Sequence, residues 1–321
     1  MPSQRLFGVL NLNKPAGVTS RDVVNIVQRL VRPNKVGHAG TLDPLATGVL
    51  LVCVGSATRL VSTLQQAPKT YLAEFQFGVR SDTDDNTGVV EDVTGATPVT
   101  KKQIQQLLPE FCGMVEQIPP SFSAIKVNGQ RAYAMARKGQ NVALTARPVR
   151  IDSIEIQKYH WPKLTVEIHC GSGTYIRSIA RDLGERLGCG GLMTALERTG
   201  IGEFTSSDGI NPSSLTAATI ADAVLPAVDV VSHISHYNCT EEEQAIISRG
   251  GAFDVDRQRF SKNHLLPDRP GDQEELKKNP PVALVSECGT RLLALAETRR
   301  QGRRIQPRTV FMTVEGQEQD Q

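Results

Sequence analysis

Residues 36–54 read Val36-Gly37-His38-Ala39-Gly40-Thr41-Leu42-Asp43-Pro44-Leu45-Ala46-Thr47-Gly48-Val49-Leu50-Leu51-Val52-Cys53-Val54. Up to Gly48 the stretch holds three glycines and a proline, the punctuation of a loop. The apolar run Val49–Val54 follows without a break and is long enough for a buried strand. Gly55-Ser56-Ala57-Thr58 then suits the start of a helix. His38 and Asp43 therefore sit on a stiff loop backed by core chain.

Upstream, residues 6–12 read as a strand and Lys14-Pro15-Ala16-Gly17 as a turn. Thr19 or Ser20 is placed to cap a helix whose Val23, Val24, Ile26, Val27, Leu30 and Val31 recur at helical spacing, until Arg32-Pro33-Asn34 ends it. Downstream, residues 71–77 and 164–170 alternate as strands do. The acidic stretch 82–92 reads as loop and turn, and 101–111 as a short helix. Paired prolines at 119 and 120 exclude a regular central strand there, and a basic helical stretch follows over 131–138. Residues 174–187 form an amphipathic pattern, stopped by Gly188 and the glycines after it. A second helix is expected over roughly 215–225. Beyond residue 232 the composition changes. Residues 253–281 are polar and proline-bearing, as a flexible insertion would be, and 282–286 with 291–297 read as a hairpin.

The chain has 321 residues, enough for about two domains. Hydrophobic residues make up 39% and charged residues 22%, so a sizeable core is expected. No run approaches the ~20 apolar residues that span a bilayer, and residues 1–5 lack the apolar region of a secretory signal. The six cysteines are scattered with no C-x-x-C pair, which disfavours structural zinc and a disulfide scaffold and points to a reducing cytoplasm. Net charge is only +2, but cations are segregated: residues 1–60 carry seven Lys and Arg against two acids, residues 121–160 seven against two, and residues 290–311 six against one. Such segregation suits a phosphate-binding face or a set of solvated surfaces.

Read alone, Asp43 before Pro44 is either a turn-capping aspartate or a buried nucleophile or general base. The glycines around His38 fit neither a P-loop nor a dinucleotide fingerprint, no G-x-S-x-G elbow occurs, and no H-E-x-x-H metal spacing occurs. In Gly173-Thr174-Tyr175-Ile176-Arg177-Ser178, Arg177 lies where a loop enters a helix. If buried it needs a partner, and Asp43 is a candidate. Tyr71 opens a strand, where an aromatic is either core or a stacking face. Lys126, Arg131, Tyr133, Arg137, Lys138, Arg147 and Arg150 form a basic segment with the charge for RNA backbone contact or for an exposed helix.

Taken together, these segments resemble the TruB family of bacterial-type tRNA pseudouridine-55 synthases. The stretch 37–50 resembles the family's catalytic signature and residues 10–20 its lysine-proline turn. Residues 119–126, with Gly129, Arg131, Ala132, Tyr133 and Arg137, resemble the entry to its RNA-clamping insertion. Gly173-Thr174-Tyr175-Ile176-Arg177 and Asp182-Leu183-Gly184 resemble a further core motif, and the whole likeness covers roughly 10–205. Glu197 departs from the pattern, which usually has a basic residue there.

The resemblance implies an α+β pseudouridine-synthase fold with a mixed, largely antiparallel sheet in residues 1–232, its RNA-clamping insertion at about 119–150. A small β-rich PUA-like C-terminal module would occupy 235–315, with the polar insertion 253–281 inside it and a disordered tail at 316–321. It implies Asp43 as the catalytic aspartate, Arg177 as its partner, Tyr71 stacked on the target base, and Tyr175 and Leu196 lining the same pocket. Arg59 would lie near that pocket and His38 near the extruded nucleotide. Lys126, Arg131, Arg137 and Lys138 are the RNA-backbone candidates. The implied substrate is uridine 55 in the tRNA T-loop, acted on by a cytoplasmic monomer without metal, organic cofactor or membrane. Such a protein could also assist tRNA folding. Rival readings are a tRNA chaperone without catalysis, a synthase for another RNA, and a carboxylate-dependent hydrolase, for which no motif supplies the second carboxylate.

Overall fold

The computed structural model describes residues 6–123, 144–232, 234–261, 281–299 and 302–312, with the isolated positions 126–127, 130–131 and 135. A ten-stranded sheet organises most of it. Across that sheet the order is Leu225–Pro226, Gly8–Lys14, Thr47–Val54, Gly191–Ile201, Lys69–Phe77, Lys163–Cys170, Arg147–His160 and Gly113–Gln117. The pairings are antiparallel except one: Gly191–Ile201 runs parallel to Thr47–Val54, with Glu197 opposite Thr47 and Arg198 opposite Gly48. The sheet is thus mixed and largely antiparallel, as expected.

Hydrophobic patterning explains the layers. Gly8–Lys14 and Thr47–Val54 are almost wholly buried because both faces are covered, and Thr47–Val54 is accordingly apolar on both faces beyond Thr47. On one side Leu10, Leu12, Leu50 and Val52 meet Val23, Val24 and Val27 of the helix Ser20–Leu30. Each such valine contributes about 1.5–3 kcal/mol on burial. Thr19 caps this helix in a reciprocal box with Asp22. On the other side Val9, Val49 and Leu51 pack with Leu60 and Leu64. Tyr71, Ala73, Phe75 and Phe77 face a separate core with Ile104, Ile168, Ile179 and Leu183. The helix Ile176–Arg186 supplies the last two.

A second sheet of five strands, ordered Ser235–Asn238, Pro281–Val285, Leu292–Arg299, Arg304–Val310 and Phe253–Asp254, makes the β-rich C-terminal part. Its Ala283, Val285, Leu292 and Leu295 share one apolar cluster with Val9 and Leu51 of the main sheet and with Leu60 just beyond it. Phe311 stacks on Phe7 at 5.4 Å between centroids.

Three expectations are corrected here. Residues 36–48 are not all loop, because Val36–His38 pairs antiparallel with Val52–Val54 and makes a hairpin of the stretch. The helix expected over 215–225 is only Ile220–Ala223. Thr216 and Thr219 cap each other's backbone N–H groups, and Pro226 disfavours helix at Leu225, which instead pairs with Val9 at the sheet edge. The insertion expected from 253 begins later: Phe253 pairs with Ile305, and Phe260 packs edge-on against buried Tyr237 at 5.2 Å. Residues 262–280, the rest of that expected insertion, lie outside the described residues, as do 316–321. No helix among the described residues is long and apolar enough to cross a membrane.

Candidate active site

Asp43 stands at the tip of the hairpin whose arms are Val36–His38 and Thr47–Val54. Its loop is clamped from several directions. Ser20 Oγ donates to Leu42 O and accepts from Leu42 N, at 3.1 and 2.9 Å. Gly17 N donates to Pro44 O at 2.8 Å. Lys14 has no solvent exposure, and its Nζ donates to the carbonyls of Pro15, Val18 and Pro44. Burial lowers its pKa to about 8, with Asp43 pulling the other way. On the far side the buried Arg198 donates from Nε to Val49 O at 2.7 Å and from Nη2 to Gly40 O at 3.3 Å. Gly48 allows this close packing. Its φ is +98°, and a Cβ there would lie 2.2 Å from Arg198 O. Gly48→Ala is expected to destabilise the fold by at least ~1–3 kcal/mol, read as a lowered denaturation midpoint.

Arg177 is the second half of the site. Helix Ile176–Arg186 starts at Tyr175, whose N–H and C=O are held by the Gln117 side chain at 2.7 and 3.0 Å. That start directs Arg177 inward, where its side chain is only 6% exposed. Its Nη2 meets Asp43 Oδ2 at 3.0 Å, and its Nη1 meets Asp85 Oδ2 at 3.3 Å. The same nitrogens donate to Thr83 O and Phe122 O. Asp85 is fixed in turn by Thr83 Oγ1, Thr87 Oγ1 and Thr87 N. The acidic stretch 82–92 is therefore not a plain solvated loop. Thr83, Asp84 and Asp85 are buried, and Asp84 pairs with Arg181 at 2.8 Å. Burial raises the pKa of Asp84 to about 6, against the pull of Arg181.

Loss of water is also the largest effect on Asp43. It lifts the carboxyl above the ordinary value, opposed by Arg177 and Lys14 and reinforced by Asp85. The guanidinium thus limits a rise rather than producing a depressed pKa. Tyr71 is buried opposite Arg198 in the strand register, and burial raises its phenol pKa, so it stays neutral.

Asp43, Tyr71, Tyr175, Arg177 and Leu196 line one cleft of about 360 Å³. Lys69, Arg147 and Arg198 line it too. His38 and Arg59 lie outside that lining. His38 faces a separate shallow recess with Arg21, Lys35 and Thr58. Arg59 sits over the Phe311 ring at 5.0 Å, where the two sheets meet. Lys126 and Arg131 face each other in a two-stranded pairing, their side chains undescribed, while Arg137 and Lys138 lie outside the described residues. Glu197 accepts from Ser206 Oγ at 2.6 Å and ties down the loop after its own strand. Among the described residues no three His, Cys, Asp or Glu side chains converge as metal ligands.

Lys14, Asp85 and Arg198 carry no marked role in the sequence reading. The lysine-proline turn contains Lys14, but nothing local marks it as buried. Arg198 is disguised by strand irregularities between Met193 and Ala195 and between Arg198 and Gly200, which shift the alternation from which a face would be read.

Comparison with known proteins adds lineage to geometry. Residues 28–176 match the model for the TruB family pseudouridylate synthase N-terminal domain, and residues 177–228 that for the tRNA pseudouridylate synthase B C-terminal domain. The chain is 41% identical over 254 residues to the tRNA pseudouridine synthase B of a Dehalococcoides mccartyi strain, covering 78% of this chain and 85% of that one. It is 43% identical over 234 residues to the protein of that name from Synechocystis sp., covering 72% and 79%. A chain from the crystal structure of a Cbf5-Nop10-Gar1 complex superposes with a TM-score of 0.71 at 25% identity, over 95% of this chain and 85% of that one.

Proposed function

The chain belongs to the TruB family of pseudouridylate synthases, and from that membership and the cleft we propose that it isomerises uridine 55 in the T-loop of tRNA to pseudouridine. It is a tRNA pseudouridine synthase, an isomerase. The reading of the site is supported by one observation above others, the 3.0 Å contact between Asp43 and Arg177 in a cleft walled by aromatic side chains.

Isomerisation breaks the N1–C1′ bond, turns the uracil and joins C5 to C1′. C5 loses a proton and N1 gains one, so atoms and electrons balance without an oxidant or a second substrate. The reacting atoms are hidden while the base is stacked, so the nucleotide must first swing out. Tyr71 offers the replacement stack, worth ~1–3 kcal/mol per base. Tyr175 and Leu196 form walls that hold the freed uracil away from water. Three entry steps are chemically open to the Asp43 carboxylate: addition at C1′, addition at C6, and removal of the C2′ proton. Each needs it ionised, and Arg177 restrains the rise in its pKa that burial causes. The cleft is built from one chain, so a monomer suffices, working in the cytoplasm beside its tRNA. The basic segment around Lys126, Arg131, Arg137 and Lys138 is assigned to the RNA backbone, and His38 and Arg59 to its approach. Opening and holding the T-arm is separable from the chemistry, so the same face would assist tRNA folding.

The test is pseudouridine mapping after incubation with unmodified tRNA and with a U55C transcript. Modification at position 55 of the first and none in the second is expected. Modification elsewhere in tRNA, with position 55 untouched, would refute the assigned position.

A further inference from the structure

Among the described residues four cations line the cleft, and their hydrogen bonds distinguish them. Arg177 is committed to Asp43, Asp85 and two carbonyls. Arg198 is committed to Val49 O and Gly40 O, and Lys69 to the carbonyls of Gln65 and Ala67. Arg147 differs. Its carbon Cζ lies 4.9 Å from the Tyr175 ring centre, and Nη2 donates to Gly173 O at 2.6 Å. Among the described residues that is its one side-chain hydrogen bond, and no carboxylate pairs with it. Its Nε–H is buried with no partner among the described residues. A guanidinium presents five N–H donors in a plane suited to a phosphate, so most of its capacity is unused. Among the described residues the one carboxylate lining the cleft is Asp43, which Arg177 already neutralises.

We propose that Arg147, seated over the Tyr175 ring, binds a phosphate flanking the everted uridine and so seats the nucleotide between Tyr71 and Asp43. This rests on the function proposed above. Contact with the Tyr175 ring and the hydrogen bond to the Gly173 carbonyl restrain the fork. The remaining Nη hydrogens are then offered to an oxyanion without reorganisation. The anchor acts on binding and placement and leaves the bond-making groups untouched.

The experiment is a double-mutant cycle between protein and RNA. T-arm RNAs carry one neutral methylphosphonate, either 5′ or 3′ of U55, and are assayed with the unaltered protein, Arg147→Ala and Arg147→Lys. With native RNA, Arg147→Ala is expected to raise KM roughly tenfold or more, as loss of a charged hydrogen bond does, with a smaller change in kcat. It should also reduce the salt slope of RNA affinity by about 1. Arg147→Lys keeps the charge without the fork and should recover part of the loss. The decisive expectation is coupling: at one of the two positions the methylphosphonate weakens binding to the unaltered protein but not further to Arg147→Ala. Additive losses at both positions would overturn the proposal, and would do so even if Arg147→Ala also unfolds more easily. Absence of pseudouridine at position 55 with the unaltered protein and native RNA would instead overturn the functional reading beneath it.

Discussion

Asp43→Asn is expected to abolish pseudouridine formation, by at least ~10⁴-fold, while leaving tRNA affinity within a few-fold of its starting value. The amide keeps the size of the carboxylate and its place on the clamped loop. That loop is held by Ser20, Lys14 and Gly17 through backbone groups of Leu42 and Pro44, so it does not depend on the Asp43 charge. What disappears is the anion. Because burial already raises the carboxyl pKa, its charge is costly here, which argues for use rather than capping. Single-turnover assays with saturating protein, beside filter binding of the same tRNA, separate the two quantities. Turnover retained in this variant would remove Asp43 from the chemistry. Lost turnover with lost binding would make it a structural aspartate of the loop.

Arg177→Met carries the second large effect, on stability and on pH dependence together. Methionine fills much of the same channel but leaves Asp43 and the buried Asp85 without the cation between them. Removing one partner of a buried ion pair costs about 3–5 kcal/mol. Arg177 is the largest influence lowering the pKa of Asp43, so its loss moves that pKa further up. The active form is the ionised one, so activity in the variant falls away at a higher pH than in the unaltered protein. Stability follows the opposite direction. A carboxyl whose folded pKa lies above its unfolded value favours the folded state as pH falls through the folded pKa, so the stability deficit shrinks toward acid. Rate profiles and urea midpoints measured over the same pH range test both signs. An acid limb that stays in place would mean that Arg177 does not govern the charge on Asp43.

How much of this was legible beforehand depended on whether the cause was local. The strand Thr47–Val54, the cap at Thr19 and the helix Ile176–Arg186 follow from patterns that lie within a few residues, and they were readable. The motif around Asp43 and the one around Tyr175 were readable too, including the expected pairing of Asp43 with Arg177. The three-way arrangement was not. Asp85 sits in a stretch whose acids look solvated, and it is buried by contacts distant in sequence, the bridge to Met193 and the pairing with Arg177. Arg198 follows an acid in an irregular strand, and its inward direction is set by neighbours more than a hundred residues away in sequence. A short helix was over-read at 215–225 because apolar spacing there serves sheet-edge pairing as well as it would serve a helix.

The apolar cluster common to both sheets bears on how this enzyme is trimmed or recombined. Val285, Leu292 and Phe311 complete the wall behind Val49 and Leu51, the strand that leads out of the Asp43 hairpin. Cutting the chain near residue 232 would leave that wall wet, so the last third is a buttress of the hairpin that carries Asp43 and not cargo that can be swapped between chimeras at will.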